Sequence, residues 1–147
     1  MPKVDLAALP TYDGPDTAQE VGGALGDYTG YAISTGMGLT QIDANVEVLA
    51  PGSSSSHRHW HSHVDEMVVV LSGALELVEE SGPVPMGPGD IAVFPAGSPN
   101  GHCLRNASDA PASFLVAGTR HKEDRCTYAD LGLVLQPDGT LRPAQDD

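Results

Sequence analysis

Two histidines one residue apart, His59 and His61, are followed after four residues by a carboxylate, Glu66, and after six more by Gly73. In an extended segment alternate side chains leave the same face, so both imidazoles point one way with their Cα atoms roughly 6.6 Å apart. Two rings at that spacing can grip one ion. A carboxylate from the next strand can add a third ligand, and the glycine permits the tight turn that follows. The chemistry is metal ligation by mixed nitrogen and oxygen donors. His57, His59, His61 and His63 all share one parity, but the outer two would lie about 20 Å apart along a strand, so one ion cannot take all four.

Such donors need strands to hold them, and the chain reads as strands. From Thr40 to Ala50 the even positions run Thr40, Ile42, Ala44, Val46, Val48 and Ala50, against polar Gln41, Asp43, Asn45 and Glu47. That alternation predicts a strand with one buried face. Met67–Leu71 is apolar on both faces, as in a strand buried on both sides. Gly- and Pro-bearing turns then separate strands at Ala74–Val78, Ile91–Phe94, Gly101–Asn106 and Ala112–Gly118, with one more short strand around Tyr28–Ser34. No convincing amphipathic helix or internal repeat interrupts them. The pattern argues for an all-β sandwich or jelly-roll barrel. The Pro-, Gly- and Asp-rich first thirty residues read as an arm wrapping the domain or a partner subunit, and the acidic tail from Gln136 as a peripheral arm.

The chain has 147 residues, enough for one domain with a real core. Its 17 glycines and 12 prolines suit short strands and turns. Seven basic against 20 acidic residues give a net charge of −13, which argues against nucleic acid. No apolar run reaches membrane-spanning length, the first residues do not begin a secretory signal, and two cysteines make no disulfide framework. A cytoplasmic protein is expected.

The spacing resembles the cupin family. Its first motif reads Gly, five residues, His-x-His, three or four residues, Glu, six residues, Gly. Only the pair His59/His61 leaves the right gap before Glu66, although Gly52 lies six residues before His59 rather than five. The second motif reads Gly, five residues, Pro-x-Gly, two residues, His, three residues, Asn. Gly89, Pro95-Ala96-Gly97, His102 and Asn106 fit, except that four residues (Ser98 to Gly101) stand where the family has two. Counting forward from Gly97 puts Asn100 in the ligand place. Counting back from Asn106 puts His102 there, and imidazole is the better ligand. The run from Gly38 through the histidines, Pro95 to His102, and Tyr128 with Asp138-Gly139 further resemble small single-domain bacterial cupins.

The resemblance implies a double-stranded β-helix, or jelly-roll barrel, over residues 35–120, with an N-terminal arm over 1–34 and a C-terminal arm over 121–147. It also implies one divalent transition-metal ion (Fe, Mn, Ni or Zn) held by His59, His61, Glu66 and His102, with open positions for a small organic molecule. Dioxygenase, isomerase or lyase chemistry would follow; the alternatives are a metal-assisted binding or sensing module and a purely structural ion. Association as a homodimer is expected. His57 and His63 read as neighbours of the site, with His63 the better candidate for a general base. Cys103 and Trp60 have the opposite parity to the ligands and should point away. Arg58 and Arg105 share that parity and are poor substrate clamps. His121 reads as a surface residue, and Cys126 has no partner at ligand spacing.

Overall fold

Glycine and proline cut the chain into short strands, which the computed structural model describes over residues 2–14 and 25–146. They are β1 (Thr11–Tyr12), β2 (Tyr28–Ala32), β3 (Ile42–Leu49), β4 (His59–His61), β5 (Glu66–Ser72), β6 (Leu75–Glu79), β7 (Gly82–Met86), β8 (Ile91–Phe94), β9 (Cys103–Arg105), β10 (Ala112–Thr119), β11 (Cys126–Tyr128), β12 (Leu133–Leu135) and β13 (Leu141–Pro143). One short helix, α1 (Ile33–Met37), follows β2. One wall is an antiparallel sheet in the order β1-β2-β3-β10-β5-β8. The other combines β13-β12-β11-β4 with β7-β6-β9. These two pieces are joined where His59 and His102 exchange backbone hydrogen bonds of 3.1 and 3.0 Å. The result is the expected all-β jelly roll, with Leu49, Val70, Leu75, Leu104 and Phe114 in the core between the walls.

Strand β3 keeps the alternation read from the sequence but turns it over. Its polar residues Asp43, Asn45 and Glu47 line the interior cavity. Ala44 and Val46 are buried on the other side, where α1 packs and the buried Ser34 hydroxyl accepts the Ala44 N–H at 2.8 Å. Both faces are therefore covered, and the polar one faces inward. Strand β5 departs in the opposite sense. Val68 and Val70 enter the core, but Met67 and Leu71 are 42% and 48% exposed, so its outer face is open in the protomer. Beside it Ile91 and Val93 of β8 are 61% and 63% exposed, in register with Val69 and Met67.

Two details hold the barrel's closed end. Gly73 has φ +77°, and a Cβ there would lie 2.7 Å from that of Ala112, so the β5–β6 turn tolerates no side chain. Asn106 is fully buried. Its amide donates to the carbonyls of Leu49 and Ala110, and its oxygen accepts from the Ser108 amide and hydroxyl.

The terminal segments join the sheets. β1 and β2 extend the first wall beyond β3, and β11–β13 complete the second, although positions 15–24 of the expected N-terminal arm lie outside the described residues. Strand β7, read from the sequence only as a turn at Ser81-Gly82-Pro83, carries Pro83 and Pro85 at a sheet edge, where a missing N–H is tolerated. Among the described residues no helix is long and apolar enough to cross a membrane.

Candidate metal centre

Strand β4 carries His59 and His61, β5 opens with Glu66, and His102 immediately precedes β9. The four meet at a cavity of about 800 Å³ between the two walls. His102 Nε2 lies 3.2 Å from one Glu66 oxygen and His61 Nε2 lies 3.8 Å from the other. Donor atoms of His59, Glu66 and His102 all fall within 4.8 Å of one another. The His59 ring centre is 5.2 Å from that of His61 and 5.0 Å from that of His102. It is His102, rather than Asn100, that reaches Glu66. The two extra residues bulge into a turn, and the Asn100 carbonyl accepts the His102 Nδ1–H at 2.9 Å.

Every ring is oriented the same way. His59 Nδ1–H donates to the His57 carbonyl at 3.0 Å, with the Ser56 hydroxyl 3.1 Å away. His61 Nδ1–H donates to Asp124 at 2.7 Å. Carbonyls and carboxylates only accept, so all three Nδ1 atoms carry protons, and Nε2 is the atom of each ring left to face an ion. Phe94 lies flat on the His102 ring, 3.4 Å between centres. Burial, reinforced by His102 and His61 nearby, lowers the His59 pKa to about 4, so its ring stays neutral. Burial alone would raise the Glu66 pKa, but the close approach of His102 and of the His59 and His61 rings favours the carboxylate, and the carboxyl is held below its usual range. Three imidazoles and one carboxylate suit a divalent ion of intermediate softness.

The remaining candidates separate clearly. His57 contributes its backbone carbonyl. His63 is exposed and stacks on His121 with ring centres 4.7 Å apart; with Glu123 they bring donor atoms within 4.8 Å in a second, exposed group. His121, expected on the surface, is exposed and also lines the cavity mouth. Trp60 pairs with Thr127 and does not line the cavity. Cys103, expected to point away, is buried but lines the cavity, and burial pushes its thiol up to about 11. Arg58 is bound to Asp130 and Glu80, and Arg105 to Glu76.

Cys126 needs correcting. It stands opposite His61 in the β4–β11 pair, and its sulfur lies within 4.8 Å of the His59 and His61 donors. Sequence spacing missed this because strand pairing, not chain distance, makes the neighbour. Burial pushes this thiol up to about 12, which keeps it protonated.

Sequence reasoning also missed Asp124, Glu47 and Arg120. Asp124 lies 63 residues from His61, in a charged stretch with no local signal. Glu47 did carry a signal, the polar parity of β3, which reads equally well as a solvent face. Arg120 is the only lysine or arginine among the described residues lining the cavity. Its contact with Asp43 is 3.8 Å between half-exposed side chains, a weak pairing.

A family model described as Cupin domain matches residues 45–118. No curated protein matches the chain by sequence. Among solved structures, a sugar phosphate isomerase from a cupin superfamily of Silicibacter pomeroyi is 38% identical, with TM-score 0.90 over 97% of this chain and 93% of that one. A putative sugar phosphate isomerase from Acidithiobacillus ferrooxidans is 27% identical, with TM-score 0.76 over 82% and 79%. A predicted oxalate decarboxylase from Thermotoga maritima, at 18% identity and TM-score 0.64 over 81% and 99%, shares the fold.

Proposed function

The chain belongs to the cupin superfamily, and from that membership we propose that it is a metal-dependent isomerase of small sugars or sugar phosphates. Its metal ligands in this reading are His59, His61, Glu66 and His102. The observation that carries the reading is the convergence of three imidazoles and a carboxylate on a cavity that Asp43, Asn45 and Glu47 also line. A divalent ion held there supplies Lewis acidity, polarising a carbonyl oxygen and stabilising the charge that builds on it. Asp124 and the carbonyls of His57 and Asn100 hold the rings in the ligating tautomer. Asp43, Asn45, Ser55 and Ser56 line the cavity and suit the hydroxyls of a polyol. The likeness to the Silicibacter pomeroyi protein over nearly the whole chain favours isomerisation over the oxidative and decarboxylating alternatives. Arg120 suits a phosphate at the mouth, although Asp43, Glu66 and Asp124 make the lining acidic overall, so sugars with and without phosphate belong in the same assay.

The test is metal analysis of protein purified without chelators, beside His61→Ala and His57→Ala. Near-stoichiometric metal that is lost in His61→Ala and kept in His57→Ala is expected; the difference between variants discounts the exposed His63, His121 and Glu123 group. Proton NMR of aldoses and ketoses with the loaded protein should show interconversion. No metal after reconstitution overturns the centre, and metal with sugar binding but no turnover leaves a binding module instead. We further propose a homodimer formed through the open apolar face of β5 and β8.

A further inference from the structure

Of the buried side-chain polar atoms in the described residues, one has no hydrogen-bond partner, Oε2 of Glu47. The other oxygen has only a long contact, 3.5 Å, from the Tyr12 hydroxyl. Glu47 sits in a cross-strand row that runs Tyr12, Gly30, Glu47, Phe114, Val70. Tyr12 fills the space that a side chain at Gly30 would need, and no cation or amide in the row answers the carboxyl. A residue kept only for packing would be apolar here, or satisfied. Instead the carboxyl lines the same cavity as Glu66 and the three histidines.

We propose that Glu47 is the proton-transfer residue of this cavity, contacting the carbonyl–hydroxyl segment of the substrate and moving a proton between adjacent carbons. This rests on the isomerase reading. As carboxylate, Glu47 takes the proton from C2 of an aldose. The C–H electron pair becomes the C1=C2 bond, and the carbonyl oxygen takes the proton of the C2 hydroxyl, leaving an enediolate and a neutral Glu47. The oxygen on C2 then forms the ketone, and the C1=C2 pair takes the proton back from Glu47 at C1. Nothing is oxidised or reduced overall.

Of the other titratable groups lining the cavity, Cys103 is a buried thiol with a raised pKa and His121 is exposed at the mouth, stacked on His63. Asp124 accepts from His61 and from the His63 amide, Asp43 faces Arg120, and His63 is exposed and does not line the cavity. Burial, then the charges of Glu66 on β5 and Asp43 on β3, raise the Glu47 pKa to about 8 against the opposing hydrogen bond from Tyr12 on β1. The neighbouring strands β2 and β10 place Gly30 and Phe114 opposite it, and neither titrates. Burial therefore favours the protonated form of the resting residue, and the basic form grows as pH rises.

The experiment compares wild type with Glu47→Gln in D2O, each metal-loaded. One arm follows solvent deuterium entering glucose, ribose, glucose 6-phosphate and ribose 5-phosphate. The other records the infrared carbonyl band of a protonated carboxyl as xylitol or 5-phosphoarabinonate is added. The variant should keep metal content and a cooperative melting transition, lose deuterium incorporation by about 10²–10⁴-fold, and lack a band that in wild type shifts with either polyol. Incorporation within a few-fold of wild type in Glu47→Gln overturns the role of Glu47 and leaves the isomerase reading intact. A wild-type band that ignores both polyols overturns the contact. A band that responds in a protein exchanging none of the sugars overturns proton transfer together with isomerisation.

Discussion

The carboxylate of Asp124 accepts from His61 Nδ1 and from the His63 amide, and it decides which nitrogen of His61 faces the cavity. Replacing it with alanine should lower metal affinity about 10–100-fold, measured by competition with a chromophoric chelator. Asp124→Asn keeps an acceptor without the charge and should lose less; equal losses would show that the charge, not the hydrogen bond, is what matters. Glu47 makes a separate prediction through its proton. A carboxyl raised from 4.5 to about 8 on folding contributes stability that is fully present below pH 4.5. That contribution is lost as pH rises through about 8, because the unfolded chain releases the proton first. Glutamine at 47 lacks this dependence. The melting temperature of Glu47→Gln relative to wild type should therefore climb between pH 5 and pH 8 by the equivalent of a few kcal/mol. A constant difference over that range would remove the burial argument.

At the scale of elements, the closed end of the barrel makes the clearest demand. Gly73→Ala forces a Cβ against Ala112 and the Pro111 carbonyl at a left-handed φ, and should cost about 2–4 kcal/mol in chemical denaturation without changing the cavity. Strand identity was legible where pattern was strong. Ile91–Phe94 coincides with β8, and Thr40–Ala50 and Ala112–Gly118 bracket β3 and β10 closely. The C-terminal strands were not legible, because β11, β12 and β13 have three residues each, too few for a period to show. The direction of β3 was not legible either. Alternation gives two faces, but only a cavity on one side tells which face is inside. The same limit applied to the ligands: spacing brought out His59, His61, Glu66 and His102, whereas Asp124 and Cys126 come near them only through pairing between β4 and β11.

For the whole molecule, the open face of β5 and β8 sets the expectation about assembly. Met67, Leu71, Ile91 and Val93 make an apolar surface unusual on a chain with a net charge of −13. Val93→Asp should halve the mass seen by light scattering while leaving metal content unchanged; an unaltered mass would place the dimer contact elsewhere, and a wild-type monomer would remove it. A different consequence follows from β11, the partner of β4. All four donors lie within residues 59–102, but the strand that steadies two of them and the acid that turns His61 arrive only at 124–128. During synthesis the ribosome therefore delivers a complete set of ligands well before their scaffold. A nascent chain stopped after Thr119 should hold metal poorly although it contains the whole family motif. In the proposed centre, metal capture would then be a late event in the life of the polypeptide, gated by completion of its C-terminal part.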